Sequence, residues 1–372
     1  MSFIQHTADE LIAILRLQNV PNIGDVIAKR LIAHCGSPQE IFRQKQNQLL
    51  KIDGIGTYTL KHLYDAANHS EAEKEYQFIL DNEIEVAYFE DTEYPKHLRN
   101  CIDSPILLFK QGNIDLEGRK IISVVGTRNI TSYGTSFCEQ FIADLVPLNP
   151  VIVSGFAYGV DICIQREAIN QGLQTIGCLA HGLNQIYPKV HKKYQADVLH
   201  NGGFFTEFWS TSSPERENFL KRNRIIAGMS EATVVVESAE KGGSLVTADI
   251  ANSYNRDVFA LPGRSTDKYS VGCNNLIKQQ KAHMLTSAVD LIYLLNWDLQ
   301  ESPAKAVQKQ LFIDLDDIEQ RIYSYLQQEG KQLLDSIAFD CQLPIFKTSA
   351  TLLSMEMKGV IRPLPGKLFE AV

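Results

Sequence analysis

The sequence predicts an α/β protein: a parallel sheet covered by helices on both faces, with a small all-α domain before it and a winged helix behind. Three observations predict this. First, IISVVG (121–126), QTIGCLA (174–180), ATVVVES (232–238) and RDVFALPG (256–263) are short apolar, β-rich runs separated by helix-length segments, the signature of strands buried on both faces. Second, several of these runs end in glycine-containing loops that open a helix. Third, a helical element near the start is duplicated, and the last 60 or so residues carry a different, three-helix pattern. A chain of 372 residues has room for two or three domains.

Taken in chain order, VPNIGDVIAKRL (20–31) recurs 32 residues later as IDGIGTYTLKHL (52–63). Each copy reads as a short turn, Ile-Gly, then a helix, which is a pair of helix-hairpin-helix motifs filling residues 1–80. Gly24 and Gly56 would free backbone amides at the two helix starts. Asn22 replaces the first hairpin glycine of copy one, and few basic residues flank either turn. An acidic helix with Glu71, Glu73 and Glu75 follows, and the core, residues 81–297, opens with an irregular stretch containing Tyr94-Pro95 and Ser104-Pro105. VIVSG (151–155) and GGFFTEF (202–208) add strands to the four named above. QESPAKAVQKQ sits in a linker at 298–312, and residues 313–372 show helical patterns at 314–328, 333–339 and 346–358 before a hairpin with a Pro-Gly turn.

Charge narrows the possible partners. The formal net charge is −8, yet residues 118–297 hold 17 basic against 15 acidic side chains, whereas the flanks hold 19 against 29. A polyanion site is therefore expected to be local and central. The seven cysteines form no CxxC pair, which argues against zinc ribbons and disulfide frameworks and for a reducing, cytoplasmic setting. The N-terminus lacks a basic region ahead of its apolar residues, and no run approaches the roughly 18 apolar residues of a membrane helix. GxxxxGK[ST], GxSxG and HExxH are all absent, and the nine histidines show no metal-ligand spacing. No catalytic residue, metal or cofactor is expected, and Cys273, with no histidine nearby, reads as a small hydrophobe.

Three loops carry the chemistry. Gly126-Thr127-Arg128 follows IISVV and precedes a helix; glycine permits close backbone approach, and Arg128 offers a forked donor to phosphate. Ser154-Gly155-Phe156-Ala157-Tyr158-Gly159 and Lys241-Gly242-Gly243-Ser244-Leu245-Val246-Thr247 repeat the theme. The segment PERENFLKRNRIIAGMS (214–229 and Ser230), placed on a helix, puts Phe219, Leu220, Ile226, Ala227 and Met229 on an apolar face, with Arg222 and Asn223 inside it and Lys221 and Arg224 at its edges. An inward arginine needs an anionic partner. That partner is either an internal carboxylate such as Glu207 or Glu237, or a bound phosphate chain. Phe156 and Phe219 are candidates for base stacking.

The succession GTR, SGFAYGVD, IYPKVHKKY, GGFFTEF, FLKRNRIIAGMS, VVVES, KGGSLVTADIA, RDVFALPG and GCNNLIK resembles the DprA (Smf) DNA-processing family in order, from Tyr94 to about Asp290. The resemblance implies an extended Rossmann-like core, a helix-hairpin-helix or SAM-like domain in front and a winged helix behind. It implies a non-catalytic single-stranded DNA-binding protein that protects incoming DNA in natural transformation and loads the RecA recombinase onto it. The basic pocket it implies comprises Gly126, Thr127 and Arg128, Arg222, Asn223 and Arg224, and Gly243, Ser244 and Thr247; the loops and the basic helix add Ser154, Gly155, Lys221 and Gly242 to the expected DNA site. It also implies a homodimer, with Leu276, Ile277, Met284 and Leu285 at the surface for self-association and recombinase contact. Two positions depart from the family pattern: Gln165 stands where histidine is usual, and His191 where asparagine is usual. Phosphoribohydrolases of the lysine-decarboxylase-like group share the fold and a Gly-Gly loop, but their loop glutamate has no counterpart here, where Ser244, Thr247 and Asp249 stand.

Overall fold

The computed structural model describes residues 6–297, 315–364 and 368–371. These form two compact units, the first ending at 297 and the second beginning at 315; the expected linker at 298–312 and the Pro-Gly turn lie outside the described residues.

The first unit is built on a nine-stranded sheet: β1 (Glu85–Tyr88), β2 (Leu107–Gly112), β3 (Ile121–Val125), β4 (Val151–Ser154), β5 (Thr175–Cys178), β6 (Gly202–Thr206), β7 (Ala232–Val235), β8 (Asp257–Ala260) and β9 (His283–Met284). Their spatial order is β1-β2-β6-β5-β4-β3-β7-β8-β9. β1 and β2 run antiparallel to their neighbours, and every pair from β6 to β9 is parallel. Strands such as IISVV and GGFFT are buried along their whole length because helices cover both faces. One face packs Val125, Ile176, Ile225, Met229 and Val258; the other packs Val124, Phe141, Ile152, Ile164 and Val234. From β3 the chain winds outward in one direction through β4, β5 and β6, then returns to β3's other side for β7 and β8. The reversal of order lies between β3 and β7, and the loops leaving their carboxyl ends diverge there, where open α/β sheets bind ligands.

All six strands read from the sequence are present. The stretch at 82–120, expected to be irregular, instead contributes β1 and β2, whose runs of four and six residues carry little periodicity. The boundary expected at residue 80 is no break in packing. Four helices, Ala8–Asn19, Asp25–Cys35, Pro38–Arg43 and Ala66–Asp81, share one apolar cluster with β1 and β2. Both hairpins make the same turn: Asn22 (φ 68°) and Gly54 (φ 75°) hold the equivalent left-handed position, which asparagine tolerates better than other non-glycine residues. Copy one then runs into the helix Asp25–Cys35, whereas residues 57–64 of copy two form successive turns and no α-helix.

The helical part is bolted to the sheet by polar groups. Gln18 Nε2 donates to the carbonyls of Leu107 and Glu207, and Trp209 Nε1 donates to Gln18 Oε1 at 2.8 Å. Glu75 is buried, and its carboxylate accepts from Ser210 N at 2.8 Å and Ser210 Oγ at 2.6 Å.

The second unit packs helices Asp317–Glu329, Leu334–Asp340 and Ile345–Met357 against a three-stranded sheet, Gln332–Leu333, Ile361–Leu364 and Leu368–Ala371. Ile322, Leu326, Ile337, Leu352 and Met355 form its core. This is the winged helix read from the sequence. The third helix, the one that reads DNA in such modules, presents Phe346, Leu353 and Met357 to solvent together with Lys347 and Ser349.

Because Glu75 satisfies two donors of Ser210 in a buried setting, Glu75→Ala is expected to cost about 1 to 3 kcal/mol of unfolding free energy, with Glu75→Gln costing less. Denaturant titration measures both; equal stability of Glu75→Ala and wild type would show the contact to be idle.

Candidate nucleic-acid interface

The carboxyl ends of β3 and β7 open into a cleft of about 610 Å³. One wall is the loop after β3. Thr127 N donates to Glu237 O at 2.7 Å, and Val160 N donates to Thr127 O at 3.1 Å. Gly126 has no room for a side chain, since a Cβ would lie 2.4 Å from Val160 Cγ2. Glu237, at the end of β7, reaches back: Thr131 N and Thr131 Oγ1 donate to its carboxylate at 2.9 and 2.5 Å. The loops after β3 and β7 are thereby fixed to each other.

The opposite wall is the loop after β7, which leads into the helix Gly243–Ser253 with Gly242 at its N-cap. Ser244 Oγ donates to Ser238 Oγ at 3.0 Å, holding the loop, while nothing stands within 4 Å of where a Gly243 side chain would point. The first-turn amides of this eleven-residue helix have no side-chain cap, so the partial positive charge of the helix start is available to an anion. Gly126, Thr127, Arg128, Gly242, Gly243, Ser244 and Thr247 all line the cleft.

The helix Arg216–Met229 forms the third side, and its basic run divides in three directions. Asn223 lines the cleft. Arg222 is buried beneath it: Nη1 donates to the carbonyls of Gly155, at 2.7 Å, and Cys178, at the ends of β4 and β5, while the guanidinium faces Asp161. Burial pushes the Asp161 carboxyl up and Arg222 down, and each counteracts the other's shift. Arg224 turns away altogether. Its Nη2 lies 2.5 Å from Glu207 Oε2 and 3.0 Å from Asp25 Oδ2, and Lys221 Nζ lies 3.0 Å from the same Glu207 oxygen.

Five residues expected to contact DNA are instead held within the fold, buried Arg222 among them. Lys221 and Arg224 serve the dock between the sheet and the first hairpin. Ser154 donates to Val124 O at 2.6 Å within the sheet, and Gly155 exists to admit Arg222, whose Nη1 would sit 2.5 Å from a Cβ there. Phe156 is fully buried against Phe204, so it cannot stack on a base. The first hairpin's helix start is likewise taken, because Asp25 accepts from Ile106 N at 2.9 Å and binds Arg224. Of the apolar surface expected for self-association, Leu276 and Leu285 belong to the core of their own chain; Met284 is exposed and Ile277 half-buried.

The cleft also holds residues absent from the expected set. Tyr158, 46% exposed, and Tyr187, 39% exposed, line it with Phe219. Arg216 and Lys241 add exposed cations. Tyr158 and Lys241 stand in loops that the sequence marks, and Tyr187 stands in the IYPKVHKKY segment after β5, which carries part of the family resemblance but no expected role at the site. The Arg128 guanidinium lies 5.3 Å from the Phe219 ring, a cation–π distance. Arg128, Arg216 and Lys241 have no carboxylate within ion-pair distance among the described residues. The departure at His191 is structural: its Nδ1 bonds Phe156 O at 2.9 Å, and burial holds its pKa down.

Three family profiles match the chain: "DNA recombination-mediator protein A" at residues 85–296, "DprA winged helix domain" at 304–367 and "SAM-like Helix-hairpin-helix tandem" at 14–68. Among curated relatives, Protein Smf of Synechocystis is 27% identical over 390 residues, covering 96% of this chain and 97% of that protein. Protein Smf of Escherichia coli is 33% identical over 276 residues, covering 73% and 74%. DprA of Streptococcus pneumoniae is 37% identical over 199 residues, covering 54% and 70%. The solved DprA structure from Streptococcus pneumoniae superposes with a TM-score of 0.66 at 29% identity, covering 78% of this chain and 98% of that one. DNA processing protein A from Helicobacter pylori, whose structure concerns its single-stranded DNA binding mode, gives 0.51 at 28% identity, covering 57% and 95%.

Removing Arg224 would leave two carboxylates, one of them fully buried, without their strongest partner. Arg224→Ala is expected to lose about 3 to 5 kcal/mol of stability while binding single-stranded DNA within about twofold of wild type at a temperature where it is folded. A large affinity loss with an unchanged thermal midpoint would return Arg224 to the nucleic-acid site.

Proposed function

The chain belongs to the DNA recombination-mediator protein A family, also called DprA or Smf, and from that premise we propose that it is a non-catalytic, cytoplasmic single-stranded DNA-binding protein that protects incoming DNA and loads the RecA recombinase onto it. One observation carries the DNA-binding part. In a chain of net charge −8, exposed cations without carboxylate partners and an uncapped helix start converge on one cleft. Arg128, Arg216 and Lys241 would hold phosphates, with the amides of Gly242 and Gly243 beside them, and Phe219, Tyr158 and Tyr187 present rings on which bases can stack. Filament assembly needs energy that a chain without a phosphate-binding GxxxxGK[ST] loop would draw from its partner.

The phosphoribohydrolase reading is the weaker one. It needs a carboxylate free to act on a ribose. Among the described residues the one lining the cleft is Asp161, buried and facing Arg222, and Asp249 lies on the surface in a 2.9 Å pair with Lys281. A second copy would bind at the β9 edge, where Met284, Val289, Tyr293 and Leu294 are exposed beside Ile277. Pairing there would place two clefts on one DNA strand and raise affinity through effective concentration.

Single-stranded DNA is expected to bind more tightly than duplex of equal length and to weaken steeply with salt. Arg128→Ala should cost about 1 to 3 kcal/mol of binding with a thermal midpoint near wild type. Fluorescence anisotropy reads this, and wild-type affinity in the variant would exclude the β3 loop from the site. Ile277→Glu is expected to give a folded monomer by light scattering that loses affinity for long strands only. A dimeric variant with unchanged long-strand affinity would move the interface elsewhere.

A further inference from the structure

Beside the cleft, the chain after β5 runs Tyr187-Pro188-Lys189-Val190-His191-Lys192-Lys193-Tyr194, with Lys189–Tyr194 wound as a 3-10 helix. Three of its side chains, Lys189, Lys192 and Lys193, are exposed cations. None makes an ion pair among the described residues. The acidic groups around the segment are engaged elsewhere or make no pair with it: Asp161, which acts on His191, is buried and faces Arg222, Glu167 is held by Arg166 at 3.1 Å, and Asp197, in the helix Gln195–His200, makes no ion pair among the described residues.

The cations are joined to the cleft by rings. Tyr158, on the cleft wall, has its ring centroid 5.1 Å from that of His191, and His191 lies 6.3 Å from Tyr194. Lys193 Nζ sits 4.8 Å from the Tyr194 ring. Tyr187, at the near end of the segment, also lines the cleft and packs edge-on against Phe219 at 5.8 Å. Interleaved aromatic faces and unpaired lysines are what a groove needs to follow a single strand without reading its sequence. Duplex would find few partners there, because its bases are stacked inside.

We propose that the segment Lys189–Tyr194 is a second contact surface for single-stranded nucleic acid, carrying the strand outward from the cleft past Tyr158 and Tyr187 onto Lys189, Lys192 and Lys193. This rests on the reading of the cleft as a single-stranded DNA site. A strand gripped at Arg128 would leave the cleft over Tyr158, and its next phosphates would meet the lysines.

The test uses the full chain with all three lysines changed to alanine, measured against oligothymidylates of about four and about sixteen residues across a salt series. The four-residue strand should bind within about twofold of wild type. The sixteen-residue strand should lose about tenfold at low salt, and its plot of log affinity against log salt should flatten by about 2, three phosphates each contributing about 0.7. The Lys189→Arg, Lys192→Arg, Lys193→Arg variant should restore both. An unchanged slope for the long strand overturns the proposal, and so does an equal loss at both lengths. Arg128→Ala separates the two readings, since it should weaken both lengths. If it weakens neither while the triple variant still loses the long strand, the cleft reading falls, and with it the idea that the lysines continue the cleft.

Discussion

A guanidinium buried under the floor of a cleft is the constraint on which this structure turns. Arg222 is buried, and an isolated charge in that position would cost several kcal/mol. It is tolerated because the ends of β4 and β5 offer it the carbonyls of Gly155 and Cys178 and because Asp161 faces it. Those same contacts fix where the helix Arg216–Met229 crosses the sheet. With the helix so placed, Phe219 and Asn223 meet the cleft, and Arg224 is delivered to Glu207 and Asp25 on the far side. One basic run thus closes the cleft from below and ties the helical hairpins to the sheet.

That arrangement also makes the cleft rigid. Its β3 and β7 loops are cross-linked by Glu237, and the β4 loop is bound to the β3 loop through Val160 and Thr127. The cations that would meet a ligand, Arg128, Arg216 and Lys241, sit outside this network. They can contact phosphate without first breaking an ion pair, which keeps the cost of binding low. The structural charges and the ligand-facing charges are therefore separate sets, although they lie within a few residues of one another in the chain.

Much of this was legible in the sequence, because buried parallel strands and glycine loops leave strong local signals. The six apolar runs, the loops at Gly126 and Gly242 and the winged helix follow from periodicity and turn chemistry. What was not legible is direction. Lys221, Arg222 and Arg224 are all basic, and at 100° per residue Arg222 and Arg224 point about 200° apart. Only the fold shows which arginine meets Asp161 and which meets Glu207. Phe156 failed for the same reason: a phenylalanine in a glycine loop can face the ligand or the core, and here a φ of 55° turns it inward. β1 and β2 were missed because runs of four and six residues carry too little alternation. Tyr187 belongs to the IYPKVHKKY segment, but its place at the cleft depends on where the chain after β5 runs.

The central claim is that single-stranded DNA occupies the cleft between the β3 and β7 loops. Amide hydrogen exchange on the full chain, with and without a single-stranded oligonucleotide, tests it most directly. Slowed exchange is expected at residues 126–129 and 241–247, where backbone amides would face phosphate. Slowing confined to the hairpin at 52–56 or to the winged helix, with the cleft loops unchanged, would contradict it.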